Sequence, residues 1–273
     1  MGAVNNAGEA LWEITALRFA RLTRHHRDAL LLCPEPLAGR PLDMDYSLWL
    51  VRRGDETVVV DTGYSPELAA RRGRTFLDDP MDLLRRVGVD PAAVTDVVLT
   101  HLHYDHAGNL DQFPAARVHL NELEFGPATG WHAREPSVSF AYEADHIAAV
   151  VRAREEGRLQ PVRDNTRLRD GIELVHLPGH TPGHMAVRVR TGRGWVLLTG
   201  DAVHVHANLR ERRPYPLYTS LEETFRDYDT VTALTESADH VIPGHDASVI
   251  ERFPAPAPGL AGRAARLDLP PES

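Results

Sequence analysis

Apolar residues fall along this chain in short blocks separated by turn-forming and charged residues. Leu11–Leu22 alternates loosely and ends among basic residues, which predicts a first strand. Thr23–Met44 carries Cys-Pro, Glu-Pro and Arg-Pro pairs and predicts an irregular flap. Tyr46–Val51 and Thr57–Val60 are two β-rich runs around Arg52-Arg53-Gly54-Asp55-Glu56, a sequence suited to a hairpin turn. Ser65–Gly73 and Asp79–Val87, with Pro66 and Pro80 near their starts, predict helices. Val97–Leu99 predicts a buried strand, Arg117–Leu120 another, and Ile147–Glu156 a helix. Strand patterns return at Ile172–Leu177, Met185–Arg190 and Trp195–Thr199. Leu221–Leu234 then reads as an amphipathic helix and His240–Ile242 as a last strand.

Two stretches break the pattern. Gly126–Asp145 holds Trp131, Phe140 and Tyr142 without a period, which marks a candidate pocket wall. The segment after Phe253 is rich in Pro and Ala, so a folded domain over residues 1–253 and a poorly ordered tail over 254–273 are expected. No repeat or linker divides the rest. Strands and helices are interspersed in two rounds, which suggests one α/β domain of two packed sheets with helices outside.

Composition narrows the function. Of 273 residues, 42% are hydrophobic and 25% charged, ordinary for a globular protein. A net charge of −9 argues against a nucleic-acid partner, which calls for a basic footprint. Every basic residue is Arg, which excludes a phosphate-loop lysine and Schiff-base chemistry. Cys33 is the only cysteine, so neither an internal disulfide nor a thiolate zinc cluster can form. Met1–Ala10 lacks a signal-peptide pattern, and no segment approaches the ~18–20 apolar residues of a membrane span. The expected setting is soluble and cytoplasmic.

The chemistry concentrates at Thr100–Asn109, T-H-L-H-Y-D-H-A-G-N, directly after the strand at Val97–Leu99. Imidazoles at i and i+2 of an extended segment project to one side. A turn then brings Asp105 and His106 to the same region as His101 and His103. Nitrogen and oxygen ligands this close suit a borderline metal such as zinc, and two ions more naturally than one. Three later segments repeat an apolar strand ending in His or Asp beside glycine: P-G-H-T-P-G-H at 178–184, T-G-D at 199–201 and P-G-H-D at 243–246. Asp61-Thr62-Gly63 also places a carboxylate where a strand stops.

On these motifs the chain resembles the metallo-β-lactamase superfamily over most of its length, and more narrowly the N-acyl-homoserine lactonase group. The resemblance implies an αββα sandwich with a dinuclear centre between the sheets, holding two divalent metal ions, zinc first. It implies that His101, His103 and His180 hold one ion, that Asp105, His106 and His245 hold the other, and that Asp201 bridges them. It gives Asp61 the role of orienting a ligand imidazole, which makes independent physical sense. His184 is outside the ligand pattern and reads as structural, while His119, His132 and His176 have no assigned role. His25 and His26 read as surface or flap residues.

Two ions ~3.5–4 Å apart can share a hydroxide, because coordination lowers the pKa of water toward ~7. The implied reaction is attack of that hydroxide on a lactone carbonyl, with Asp105 or Asp201 passing a proton to the leaving alkoxide. No G-x-S-x-G is present. Well-known lactonases carry Tyr three residues after the bridging Asp. Here that position is His204, a candidate catalytic donor to the substrate carbonyl through a ring nitrogen. The expected partner is a small-molecule lactone or ester, most of all an N-acyl homoserine lactone. Trp131, Phe140, Tyr142, Tyr215 and Tyr218 are the aromatic residues available to line its channel. Another small lactone, an aryl ester or an organophosphate is the alternative on the same site; a non-catalytic metal-binding sensor is the alternative of a different class. Glyoxalase II would need more C-terminal helix, a dinuclear β-lactamase would not use a bridging Asp, and a nuclease would need a basic groove. Arg210, Arg212 and Arg213 form an insertion suited to an anionic substrate group or to a contact in a homodimer.

Overall fold

The computed structural model describes residues 11–23, 27–32 and 42–272. Most of the expected flap, with His25, His26 and Cys33, lies outside them. The strands are β1 (Glu13–Leu22), β2 (Met44–Arg53), β3 (Glu56–Val60), β4 (Thr75–Phe76), β5 (Asp96–Val98), β6 (Arg117–Asn121), β7 (Leu159–Val162), β8 (Thr166–Arg169), β9 (Ile172–His176), β10 (Met185–Thr191), β11 (Gly194–Gly200), β12 (Val241–Pro243) and β13 (Ala264–Arg266). They form an eight-stranded sheet, β13-β1-β2-β3-β5-β6-β7 with β4 beside β1, and a five-stranded sheet, β12-β11-β10-β9-β8.

Both faces of the central strands are buried, and alternate residues go to different layers. In β2, Leu48 and Leu50 face the helix side while Trp49 and Val51 face the second sheet. Val59 and Val97 likewise join the outer cluster; Val58, Val60 and Val98 meet Leu174, Val187 and Leu198 across the sandwich. Each Val or Leu so buried contributes roughly 1.5–3 kcal/mol relative to exposure. Helices Pro66–Arg71, Pro80–Arg86 and Ala144–Glu155 cover one outer face, and Leu221–Leu234 covers the other through Tyr228 and Val231. This is an αββα sandwich. Ser65 and Asp79 cap the first two helices with their side chains, and a proline occupies the first turn of each.

Strands β3, β5, β6 and β7 run parallel, as do β11 and β12. Their carboxyl ends therefore open on common edges, where chain reversals can place side chains. The polar edge strands β7 and β8 carry no apolar alternation and are absent from the sequence pattern. Pro161 sits in β7 at the open edge of its sheet, where a missing N–H costs least. No helix among the described residues is long and apolar enough to cross a membrane.

The C-terminal segment differs from the expected loose tail. It runs back along β1, with β13 paired at Thr15–Leu17 and Leu267 N–H donating to Ile14 C=O. Leu260, Ala264, Ala265 and Leu267 are buried, so a few apolar residues spaced among the prolines anchor the strand. Leu267→Ala should cost about 2–5 kcal/mol, read by denaturant unfolding. An unchanged midpoint would contradict the packing.

Candidate metal centre

The candidate ligands meet where strands of both sheets end. Asp61 follows β3, His101–His106 follows β5, His180 follows β9, Asp201 follows β11 and His245 follows β12. Two glycines let the backbones approach. Gly200 has φ +49, and a Cβ there would stand 2.8 Å from His184 Nε2. A Cβ on Gly244 would lie 2.8 Å from both Asp201 Oδ1 and Gly200 O.

The ligand atoms of His101, His103, His180 and Asp201 lie within 4.8 Å of one another, as do those of Asp105, His106 and His245. Asp201 divides its oxygens between the groups. Oδ2 is 3.4 Å from His180 Nε2 and 3.9 Å from His101 Nε2, while Oδ1 is 3.3 Å from His106 Nε2 and 3.0 Å from His245 Nε2. Asp105 Oδ2 is 3.6 Å from both His106 Nε2 and His245 Nε2. His101 Nε2, His106 Nε2 and Asp201 Oδ1 are buried with no hydrogen-bond partner. Atoms about 2.0–2.2 Å from a shared zinc stand roughly 3–3.5 Å apart, so unpaired, convergent N and O donors at these spacings fit two divalent ions.

Hydrogen bonds around the ligands commit the far ring nitrogens. His106 Nδ1 is 2.7 Å from Asp61 Oδ2, His180 Nδ1 2.8 Å from Leu217 O, and His245 Nδ1 2.9 Å from Asp45 O. Thr100 Oγ1 donates to Asp61 Oδ2 at 3.0 Å and so accepts from His101 Nδ1, also at 3.0 Å. These four rings carry their proton on Nδ1 and turn Nε2 inward. His103 differs: its Nδ1 lies 3.0 Å from His180 Nε2.

Electrostatics follow from burial and from the carboxylates. Burial pushes His101 and His103 well down and His180 to about 3, which keeps these imidazoles neutral. Burial would lower His106 and His245 too, but Asp201 and Asp105 outweigh it and raise both. Asp201 is held low despite its burial by His204, His245 and His106.

Several positioning groups carry no motif. Glu124 is fully buried and accepts Leu102 N–H at 3.0 Å and Gly183 N–H at 2.8 Å, joining the His101–His106 loop to the His180 loop. Burial lifts its carboxyl to about 7, against the pull of the Thr181, Leu102 and Gly183 donors. Asp227 accepts Gly179 N–H at 2.7 Å and is likewise raised by burial, to about 7. Asp45 meets His245 through its backbone alone, its carbonyl facing Nδ1 and its N–H donating to His245 O at 2.9 Å. Such residues become meaningful when distant segments meet, and nothing in their local sequence announces it. His184 takes a structural place: its Nε2 accepts Asp201 N–H at 3.0 Å.

A cleft of about 280 Å³ opens beside His103 and His180, with Val138, Ala141, Tyr142, Leu217 and Tyr218 in its wall. The expected aromatic lining is only partly there. Trp131 is 68% and Phe140 53% exposed and neither lines the cleft; Trp131 opens a short helical turn and Phe140 follows the helix Pro136–Ser139. Tyr215 instead stacks on His204 at 3.9 Å, with an interplanar angle of 14°. His132, unassigned from sequence, joins the cleft wall. The expected Arg-rich loop contains the helix His206–Glu211; Arg210 pairs with Glu211 and Arg212 with Asp229.

Fold and donor set define the class: an αββα sandwich with a paired His/Asp centre between its sheets. The chain belongs to the metallo-beta-lactamase superfamily, whose profile matches residues 44–245, and within it stands with the N-acyl homoserine lactonase group. It is 30% identical over 188 residues to an N-acyl homoserine lactonase of Agrobacterium fabrum, covering 63% of this chain and 68% of that one. It is 29% identical over 199 residues to a probable metallo-hydrolase of Mycobacterium tuberculosis, covering 66% of this chain; it spans 64% of that relative's length. The fold also matches a crystal structure of a quorum-quenching N-acyl homoserine lactone lactonase. That match has a TM-score of 0.71 and 20% identity over 90% of this chain and 94% of that one.

Asp61→Asn should weaken metal binding roughly 10–100-fold, because an amide cannot accept from His106, Thr100 N–H and Thr100 O–H together. Chelator competition measures this, and unchanged affinity would contradict it. For Asp227, a folded value of about 7 above the ordinary 3.8 means that its contribution to stability is full below 3.8 and is lost as pH rises through about 7. Asp227→Asn should flatten that decline in unfolding free energy. Identical pH slopes in variant and wild type would contradict the assignment.

Proposed function

We propose that the protein is a dinuclear metal-dependent hydrolase that opens lactone rings, with N-acyl homoserine lactones first among its substrates. The observation that carries this reading is the joining of the centre to an apolar cleft: His103 and His180 belong both to the first ligand group and to the cleft wall. In this reading His101, His103 and His180 hold one ion, Asp105, His106 and His245 the other, and Asp201 spans both. Bound divalent ions supply Lewis-acid activation of a water and of a carbonyl oxygen.

The remaining work belongs to the chain's own residues. Val138, Ala141 and Leu217 offer an acyl chain an apolar wall and leave the lactone carbonyl beside His103 and His180. No Arg, Asp or Glu lines this cleft, which suits a neutral lactone or ester. The fixed Nδ1 contacts of His101, His106, His180 and His245 hold their rings so that no reorganisation accompanies the reaction. Ring opening adds water across the acyl carbon–oxygen bond: the attacking oxygen gives up a proton and the leaving oxygen gains one. A carboxylate oxygen of Asp105 carries that proton, and Asp201 is the other carboxylate within reach. The lactonase relatives support the substrate class by name, and aryl esters and phosphotriesters are the competing substrates for the same uncharged cleft.

The test is a panel of lactones graded in acyl length, together with an aryl ester and a phosphotriester, assayed with metal-loaded protein. Lactones should give the highest kcat/KM, chelation should abolish turnover, and His103→Ala should be inactive. Absence of lactone turnover, or full activity in His103→Ala, would overturn the proposal.

A further inference from the structure

We propose that His204 is a further metal ligand, directed at the centre through Nε2, and not a hydrogen-bond donor to substrate; this rests on the dinuclear reading above. His204 Nε2 is 3.1 Å from Asp201 Oδ2, the oxygen that also faces His180 and His101. The ligand atoms of Asp201, His204 and His245 form a third group within 4.8 Å. A separation of 3.1 Å matches the roughly 3–3.5 Å expected between two donors on one zinc.

His204 is held by packing and by its backbone. Its ring is 3% exposed and lies flat on Tyr215. Its carbonyl accepts His245 N–H at 2.9 Å, and Gly244 N–H donates to Val203 O at 3.0 Å. The loop bearing His204 is therefore hydrogen-bonded to the loop bearing His245, and the two imidazoles keep their relative placement.

The ring also lies deeper than the cleft wall, on the Asp201 side of His180. Of the residues grouped at the centre, His103 and His180 border the open cleft, and His204 does not. His204 borders a small void of about 10 Å³ with Asp201 and Tyr215, which adjoins the cleft through His180, Leu217 and Tyr218. That volume is about one water and admits no lactone carbonyl. A tyrosine hydroxyl at this position could only donate or accept a hydrogen bond, whereas an imidazole protonated on Nδ1 leaves Nε2 free to bind an ion.

The proposal is tested with zinc-loaded and cobalt(II)-loaded full-length protein, comparing wild type with His204→Phe, His204→Tyr and His204→Gln. The aromatic variants keep the stack on Tyr215, and thermal unfolding of the metal-free forms checks that the fold is retained. Wild type should bind two ions per chain. His204→Phe should weaken one of them by at least the roughly 10–100-fold that outer groups cost and should change the cobalt ligand-field absorption, with His204→Gln restoring part of the affinity. Fewer than two ions on wild type would overturn the dinuclear reading itself. Two ions on wild type, with unchanged affinity and cobalt spectrum in His204→Phe, would overturn only the ligand role of His204.

Discussion

A buried carboxylate governs the geometry of the centre. Asp61 is wholly inaccessible, and its backbone is in the left-handed region at φ 60. That conformation is unfavourable for a residue with a Cβ, although Asp tolerates it better than most. It is retained because Asp61 N–H bonds Val98 O while the side chain takes Thr100 N–H, Thr100 O–H and His106. A lone buried charge would be expensive; three donors make this one tolerable. Through Thr100 and His106 the same carboxylate orients rings in both ligand groups.

The second sheet answers through Asp201. Gly200 and Gly244 bring two strand ends so close that neither tolerates a side chain, and Asp201 then presents one oxygen to each group. Glu124 and Asp227 tie the intervening loops down through backbone N–H groups. Both pay with a carboxyl pushed up to about 7. The site is thus supported from behind by polar groups that never reach the cleft.

Much of this was legible from pattern and motif. The helix at Leu221–Leu234 follows from apolar periodicity, and the strands around the central motif from short continuous apolar runs, because both faces of those strands are buried. The His and Asp residues of the four motifs stood out because imidazoles and carboxylates beside glycine at strand ends are chemically distinctive, and the fold brings them together. The edge strands β7 and β8 were not, since strands with a polar face read like loops. Nor was the docking of the last residues along β1, where a few buried leucines and alanines outweigh a Pro-rich composition.

By itself the sequence determined the donor chemistry: imidazoles and carboxylates at strand ends, with a single cysteine and no lysine in the chain. Tertiary structure alone decided which ring nitrogen faces inward, because that depends on acceptors as distant as Asp45 and Leu217. It also decided that Trp131 and Phe140 lie outside the cleft and that His204 turns toward Asp201. The physical reason is shared. Residue type sets what a side chain can bind, while direction and burial come from segments that meet only when the two sheets pack.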